Sequence, residues 1–201
     1  MLVYSLVCII FVCSKGFTVL RMNDQALFTD SLCERLVGFP NKSTIMAIAS
    51  EAMSDAVVLN ALFSYMYGSN DTLRWRAAWV VEKVSASMPM IVEGERSRIA
   101  RMAMRDDTPN GLRRLLLHIL YNLSDSSDLD VSLFNFLIDV MTDIHSSPGV
   151  QSLAIKLADR MSRVDADLHE EFLCILRNME LAYYSPGVNA AVRKCLTRKK
   201  R

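Results

Sequence analysis

Two pairs of neighbouring residues, Trp75-Arg76 and Arg113-Arg114, offer the strongest recognition chemistry in this sequence of 201 residues. A guanidinium group holds its N–H donors in a planar fork that matches the oxygens of a carboxylate or a phosphate. Tryptophan supplies rigid contact area and is enriched among the residues that dominate protein interfaces. The two pairs lie 38 residues apart, so a structure that repeats with this period would place them on one surface. They predict a site for a phosphate, a carboxylate or a peptide.

Residues for catalysis or metal binding form no comparable pattern. The three histidines, His118, His145 and His169, lie far apart in the sequence, and the stretch that begins at His169 lacks the second histidine of a zinc-protease helix. The sequence has no Gly-x-Ser-x-Gly nucleophile motif and no glycine-rich phosphate loop. We therefore predict no enzyme activity, no cofactor and no metal site.

Composition favours a folded helical domain without a strong charge of its own. Hydrophobic residues make up 51% of the chain, with seven glycines and five prolines, which argues against disorder. The net charge is +1, so no overall field attracts nucleic acid or an anionic membrane. The five cysteines include no Cys-x-x-Cys pair, which indicates reduced thiols in a cytoplasmic protein rather than a disulfide framework.

The elements that would position the Trp and Arg side chains repeat along the chain. Gly111, Gly149 and Gly187 stand 38 residues apart. Each glycine closely follows a hydroxyl residue and a proline, at Thr108-Pro109, Ser147-Pro148 and Ser185-Pro186. Such a pair predicts a helix start, because the hydroxyl oxygen accepts from unpaired N–H groups and proline fits the first helical position. A fixed period of this length indicates stacked helical hairpins.

Apolar residues recur at helical spacing through most of the chain. We predict ten helices, over residues 24–37, 43–53, 56–67, 71–87, 93–104, 112–123, 129–144, 150–164, 168–183 and 188–197. Paired in order, they form five hairpins, each of which must stack on its neighbours to cover its apolar face. Positions 81, 119, 157 and 195 read Val, Ile, Leu and Cys, and we expect this column to be buried between hairpins.

The stretch from Leu73 to Val81 (Leu-Arg-Trp-Arg-Ala-Ala-Trp-Val-Val) resembles the second helix of a HEAT repeat. An aliphatic-Arg pair is followed there by two small residues and another aliphatic residue, and Asp71 stands ahead of it. The resemblance extends over about residues 43–198. The run from Arg74 to Lys83, together with Gly111 to Arg114, also resembles a group of uncharacterised bacterial HEAT-like proteins. It implies an all-α, right-handed α-solenoid of about five HEAT-like hairpins, an armadillo-type superhelix whose second helices line the concave face.

The resemblance also implies a function. We expect a non-enzymatic scaffold that binds a protein or peptide through the concave face, with Trp75, Arg76, Arg113 and Arg114 as the partner-binding residues. Loss of Arg113 and Arg114 together is then expected to abolish partner capture and to leave stability near that of the wild type. In the alternative interpretation, Trp75 and Trp79, four residues apart, both pack between repeats and the arginines only keep the surface hydrated.

A second alternative comes from the DNA-alkylation-repair glycosylases, which also have HEAT-like folds. Such enzymes pair a catalytic aspartate with aromatic and arginine side chains, and Asp106 and Asp107 precede the helix that Gly111 opens. The balanced charge argues against this activity, because binding to the DNA backbone requires several cations. Nucleic acid is therefore the less favoured partner.

The chain is predicted to have three parts: an apolar segment over residues 1–21, a HEAT-like repeat domain over residues 22–198 and a basic tail over residues 199–201. The uncharged run from Leu2 to Cys13 is too short to span a bilayer. Asn23 or Asp24 can cap the first amphipathic helix, so we expect Met22 to be the biological start and the protein to be cytoplasmic. A secreted or lipid-anchored protein is the alternative if residues 1–21 are a signal.

Overall fold

The computed structural model describes residues 31–38, 40–123 and 129–198, which form a row of helices joined by short turns. Residues 31–37 are helical and are called α1. The helices that follow are α2 (Lys42–Ser54), α3 (Ala56–Tyr67), α4 (Asp71–Ser87), α5 (Arg96–Met104), α6 (Asn110–Leu123), α7 (Val131–Thr142), α8 (Pro148–Ser162), α9 (Ala166–Asn178) and α10 (Pro186–Thr197). No strand occurs within the described ranges.

Side-chain caps determine where most of these helices begin. The first turns of α2, α3, α4, α7 and α9 each donate a backbone N–H to a side-chain oxygen of the preceding residue; the capping residues are Asn41, Asp55, Asn70, Asp130 and Asp165. These N–H groups have no partner within the helix itself, so each cap stabilises its helix start.

The sequence predicts that a hydroxyl side chain caps the helix start near each of the three repeated glycines, and the structure confirms this at only one of them. Ser185 Oγ accepts a hydrogen bond from the backbone N–H of Val188 at 3.4 Å. Ser147 makes no such bond, and the buried hydroxyl of Thr108 donates to the carbonyl oxygen of Met102 at 2.7 Å instead. Thr108 stands two residues before Asn110, where α6 begins, so it lies too early in the chain to cap that helix.

The helices pair into hairpins that stack in sequence order. In each of the pairs α3–α4, α5–α6, α7–α8 and α9–α10, the two helices pack against each other. The second helices α2, α4, α6, α8 and α10 also pack side by side in one row. This arrangement is the predicted all-α solenoid, and the exposed side of α4, α6, α8 and α10 is called the second-helix face below.

The predicted apolar columns lie in the core between hairpins. Val81, Ile119 and Leu157 have no exposed surface, and Cys195 is 7% exposed. The first helices contribute Phe134 and Phe172, also buried and also 38 positions apart. Because these equivalent residues are buried between consecutive second helices, residues 38 positions apart on the opposite side of those helices also take equivalent places on the surface.

The end of α9 differs from the prediction. The sequence pattern extends this helix to Tyr183, whereas α9 ends at Asn178 and a short 3₁₀ turn covers Leu181–Tyr183. The Asn178 side-chain amide donates to the carbonyl oxygen of Cys174 at 3.0 Å. This local bond occupies a carbonyl at the helix end and allows the chain to turn towards α10.

Among the described residues, no helix is long and apolar enough to cross a membrane. The predictions for residues 1–21, for the start at Met22 and for the tail over residues 199–201 lie outside the described residues.

Candidate functional site

Trp75 lies on the second-helix face of α4 and is 37% exposed. Its ring packs against Trp79 with 5.4 Å between ring centroids and a tilt of 49°. The start of α6 passes close by, since a Cβ atom added to Gly111 would lie 3.5 Å from Trp75 Nε1. Trp75 therefore packs partly between two repeats, as the alternative interpretation expects, and keeps part of its ring accessible.

Arg76 and Arg113 both hydrogen-bond to backbone carbonyls at the ends of first helices. Arg76 Nη1 donates to the carbonyl oxygens of Leu36 at 2.5 Å and Val37 at 2.7 Å. Arg113 donates from Nε to the carbonyl oxygen of Ala103 at 3.0 Å, and from Nη2 to that of the residue after α5, Arg105, at 2.6 Å. A helix leaves its last carbonyls unpaired and carries partial negative charge there, so a guanidinium group stabilises both helix ends.

The same contact recurs in the repeat column to which Arg113 belongs. Gln151 Nε2 donates to the carbonyl oxygen of Asp143 at 2.7 Å, and Asn189 Nδ2 donates to that of Leu181 at 3.0 Å. Positions 113 and 151 thus connect a second helix to the end of the first helix of its own hairpin, and position 189 connects α10 to the 3₁₀ turn that follows α9. The expectation that Arg113 contributes little to stability needs correction, because its removal takes the charged donor from the carbonyl oxygen of Ala103; the carbonyl oxygen of Arg105 keeps the backbone N–H of Thr108 at 3.2 Å.

Arg114 projects from the exposed side of α6 and lies against the next repeat. A Cβ atom added to Gly149 would lie 3.0 Å from Arg114 Cδ, so the aliphatic part of the side chain covers the start of α8. The four residues predicted from the sequence therefore contact different neighbours: Arg76 contacts the end of α1, Trp75 the start of α6, Arg113 the end of α5 and Arg114 the start of α8.

A second group of cations, which the sequence analysis did not identify, surrounds a cleft between α6, α8 and α10. The cleft encloses about 110 Å³ and is called the α8–α10 cleft. Its lining comprises five cations, one carboxylate and three other residues: Lys156, Arg160, Arg163, Lys194, Arg198, Asp159, Tyr121, Ala191 and Cys195.

Two anchors hold the arginines of the α8–α10 cleft. Asp159, only 4% exposed, pairs with Arg163 at 2.8 Å and with Arg198 at 3.4 Å. Arg160 lies over the Tyr121 ring at 3.9 Å from its centroid and donates from Nη1 to the Tyr121 carbonyl oxygen at 2.6 Å. Cation–π and charge-assisted contacts of this kind hold the guanidinium groups in place before any ligand arrives.

Cys195, which lines the same cleft, is not a reactive thiol. Burial, and after it the nearby carboxylate of Asp159, raise its pKa to about 12. The thiolate is the nucleophilic form and the form that binds metals, so a protonated Cys195 contributes only a neutral wall. Elsewhere among the described residues, no group of three or more His, Cys, Asp or Glu side chains is placed to hold a metal ion.

The pKa of His118 is affected both by Lys156, which lines the cleft, and by Arg114. Burial lowers the His118 pKa, and the cations Lys83, Lys156 and Arg114 lower it as well. The buried carboxylate of Glu82, whose Oε1 lies 3.1 Å from His118 Nδ1, opposes this shift. The imidazole is therefore mostly neutral at pH 7, and the cations that act on it come from α4, α6 and α8.

In the last two hairpins, charge is separated between the two sides of the repeat array. The helices α6, α8 and α10 contain six lysines and arginines but only one acidic residue, the buried Asp159. The first helices α7 and α9 contain four acidic residues and one arginine, whereas the first helix α5 contains three arginines and no acidic residue. The exposed cations Arg114, Lys156, Lys194 and Arg198 are called the basic strip below.

The sequence contained a signal for the basic strip. Positions 118, 156 and 194 read His, Lys and Lys at the 38-residue period, and positions 160 and 198 both read Arg. A column of cations in a repeat predicts a charged row on the surface, just as an apolar column predicts a seam. Of this row and the Trp and Arg pairs, only the pairs were predicted from the sequence to bind a partner.

A further arginine cluster lies between α3, α4 and α5, but carboxylates balance most of it. Arg74 pairs with Asp71 at 3.0 Å and Arg105 pairs with Asp107 at 2.7 Å. Asp107 is fully exposed, and its hydrogen bond with Arg105 lowers its pKa. It is therefore an ionised surface carboxylate rather than a buried acid tuned for proton transfer.

A family model for a HEAT repeat domain matches residues 32–199. No curated protein and no solved structure matches the chain.

Proposed function

We propose that this protein, which belongs to the HEAT repeat domain family, is a non-enzymatic interaction scaffold. An acidic partner protein would bind along its second-helix face. Stacked helical repeats provide long continuous surfaces that are commonly used in protein interactions. In the family fold the second helices line the concave side, so a partner on this face would contact several repeats at once.

The basic strip is the observation that carries this proposal. Its four cations are exposed, and α6, α8 and α10 have no exposed carboxylate to balance them. Charge complementarity across an interface raises the association rate and disfavours wrong partners. A partner that presents a row of Asp and Glu side chains would satisfy this surface, whereas a basic partner would be repelled.

The four residues predicted from the sequence keep a place in the proposal, with different roles. Trp75 and Arg114 are exposed, so they would supply an aromatic contact and a charged contact at one end of the face. Arg76 and Arg113 use N–H donors on the ends of α1 and α5, so Arg76 would hold α4 against the preceding hairpin and Arg113 would hold its own hairpin together. Only the first two would contact the partner over most of their side chains.

The proposal is tested by partner capture from the native organism with charge-reversed variants. We expect Lys156→Glu combined with Lys194→Glu to abolish capture, because both cations are exposed on the basic strip. A matched control combines Lys42→Glu with Arg193→Glu, which changes the net charge equally at exposed positions outside the cleft. Equal capture by the wild type and the test variant, or equal loss in test and control, would overturn the proposal.

Nucleic-acid binding is the second candidate, and the same charge separation favours it. Lysines and arginines that neutralise backbone phosphates bind nucleic acid with little regard to sequence, and added salt weakens such binding steeply. Titration of a labelled mixed-sequence duplex at several salt concentrations separates the candidates. Nonspecific binders typically reach about 10⁻⁴ to 10⁻⁶ M at physiological salt, so affinity at the tight end of that range with a steep salt slope would favour nucleic acid over a protein partner.

A further inference from the structure

We propose that the α8–α10 cleft recognises a phosphate monoester, carried on a phosphorylated side chain of the partner. The inference rests on the proposed scaffold function and adds that a phosphorylation event on the partner would control binding. It follows from the charge, the anchoring and the size of the cleft.

The charge of the cleft exceeds what a single carboxylate could balance. Five cations face one carboxylate in the lining, and that carboxylate, Asp159, is already paired with Arg163 and Arg198. Within the described part of the chain, the side chains of Lys156 and Lys194 form no hydrogen bond or ion pair, and both are exposed. A phosphate monoester carries a charge of about −1.5 to −2 at pH 7 and offers three strong acceptor oxygens, so one such group could engage both lysines and an arginine.

The donors around the cleft are already positioned. Tyr121 holds Arg160 through its ring and its carbonyl oxygen, and Asp159 holds Arg163 and Arg198. An arginine fixed in this way loses little conformational freedom when it binds, so more of the interaction energy remains as affinity. Clusters of anchored arginines are a recurrent means of recognising phosphorylated motifs.

The volume of the cleft indicates one small group rather than a polymer. A space of about 110 Å³ holds a few water molecules, each of which occupies about 30 Å³ in the liquid. A single phosphoryl group has this size. The uncharged walls are the small side chain of Ala191 and the protonated thiol of Cys195, neither of which would repel an anion.

Calorimetric titration of the full chain with O-phospho-L-serine, L-serine and inorganic phosphate at constant ionic strength tests the site. We expect saturable binding of O-phospho-L-serine, no binding of L-serine, and a loss of affinity of about tenfold or more in Lys156→Gln combined with Lys194→Gln. Arg193→Gln removes a neighbouring exposed cation of α10 that does not line the cleft, so it is expected to retain wild-type affinity. Thermal melts of each variant check that the fold is intact.

Lowering the pH provides an independent readout. The second pKa of a phosphate monoester is about 6, so affinity for O-phospho-L-serine is expected to fall between about pH 7.5 and about pH 5.5 as the ligand loses its second negative charge. Inorganic sulfate keeps two negative charges over this range, and its binding should not weaken in parallel.

Several results would overturn the inference. No saturable binding of O-phospho-L-serine, binding of inorganic phosphate alone, or equal weakening in Arg193→Gln would each do so. Phosphatase treatment of the partner distinguishes this inference from the scaffold proposal. If capture is lost in the basic-strip variant but is unchanged after phosphatase treatment of the partner, the phosphate site alone is refuted. If the basic-strip variant captures the partner as well as the wild type does, the scaffold proposal is refuted.

Discussion

Two groups of cations on the second helices have similar chemistry and different environments. At the starts of α4 and α6, the guanidinium groups of Arg76 and Arg113 donate to backbone carbonyls at the ends of first helices. Further along α8 and α10, Lys156 and Lys194 are exposed beside a cleft whose arginines are held by a buried carboxylate and a tyrosine. The first group stabilises the array, and the second presents charge to a partner.

The difference shows that register within the repeat decides the role of a cation. A side chain close to the end of the preceding first helix meets unpaired carbonyls, which are always present there. Five residues further along α8 and α10, Lys156 and Lys194 are exposed instead, and neither side chain hydrogen-bonds to a backbone carbonyl within the described residues. Residue type alone cannot separate these two positions, whereas position within the period of 38 residues can.

The largest expected effect separates the buried and exposed sides of α8 at adjacent positions. Leu157 has no exposed surface, so Leu157→Ala is expected to lower the free energy of unfolding by about 2–5 kcal/mol through lost burial and a cavity. Lys156 is exposed on the same helix, so Lys156→Ala should change it by less than about 0.5 kcal/mol. Urea denaturation of both variants measures the difference, and the opposite ranking would mean that the register of α8 is wrong.

The next effect compares neighbouring arginines of α6. Arg113→Ala removes two hydrogen bonds to the end of α5, and we expect a loss of about 1–3 kcal/mol because the carbonyls lose a charged donor. Arg114→Ala removes an exposed side chain and is expected to cost about 0.5 kcal/mol or less. Denaturation midpoints check the pair; equal values would show that the carbonyl contacts of Arg113 do not stabilise the hairpin.

A smaller effect tests how closely the side chains of one repeat cover the next. A methyl group at Gly111 would meet Trp75 at an ordinary contact distance of 3.5 Å, so Gly111→Ala is expected to stabilise the fold by about 0.4–1 kcal/mol through reduced freedom of the unfolded chain. At Gly149 the methyl would lie 3.0 Å from Arg114 Cδ, so Arg114 must move and part of this gain is lost. Equal stabilisation by both substitutions would show that Arg114 does not lie against α8.

The smallest effect concerns the pH dependence of stability. In the folded protein the His118 pKa lies below its ordinary value, chiefly because of burial and also because of Lys83, Lys156 and Arg114. The unfolded chain therefore takes up this proton first as the pH falls below about 6.5, so stability decreases through that range. His118→Gln removes the titration, and its denaturation midpoint should fall less steeply between pH 7 and pH 5.5 than that of the wild type. Parallel curves would contradict the assigned shift.

The sequence predicted the fold well because the fold depends on periodicity. The ends of α3 and α4 fall at the predicted residues, and the column from Val81 to Cys195 is buried as expected. A repeated apolar position has one physical outcome, since only stacking on a neighbouring hairpin can cover it. The end of α9 was predicted less well, because the side chain of Asn178 competes with the helix pattern.

The candidate site was harder to predict because it depends on which groups meet in space. Nothing in the sequence shows that Arg113 reaches the carbonyls of Ala103 and Arg105, since this contact depends on how the α5–α6 turn is built. The basic strip could have been identified from the His-Lys-Lys column. The net charge of +1 does not reveal the charge of this strip, because that value also counts the acidic residues of other helices.

Site-specific photocrosslinking tests the central claim most directly, because it reports which face touches the partner. A photoreactive amino acid at Lys194 would lie on the basic strip, and the same amino acid at Glu171 would be exposed on the first helix α9 of the same hairpin. We predict that the Lys194 position forms a covalent adduct with one partner protein in native extract and that the Glu171 position does not. An adduct with that protein from Glu171 alone, or a nucleic-acid adduct from Lys194, would contradict the claim that this face is a protein-binding surface.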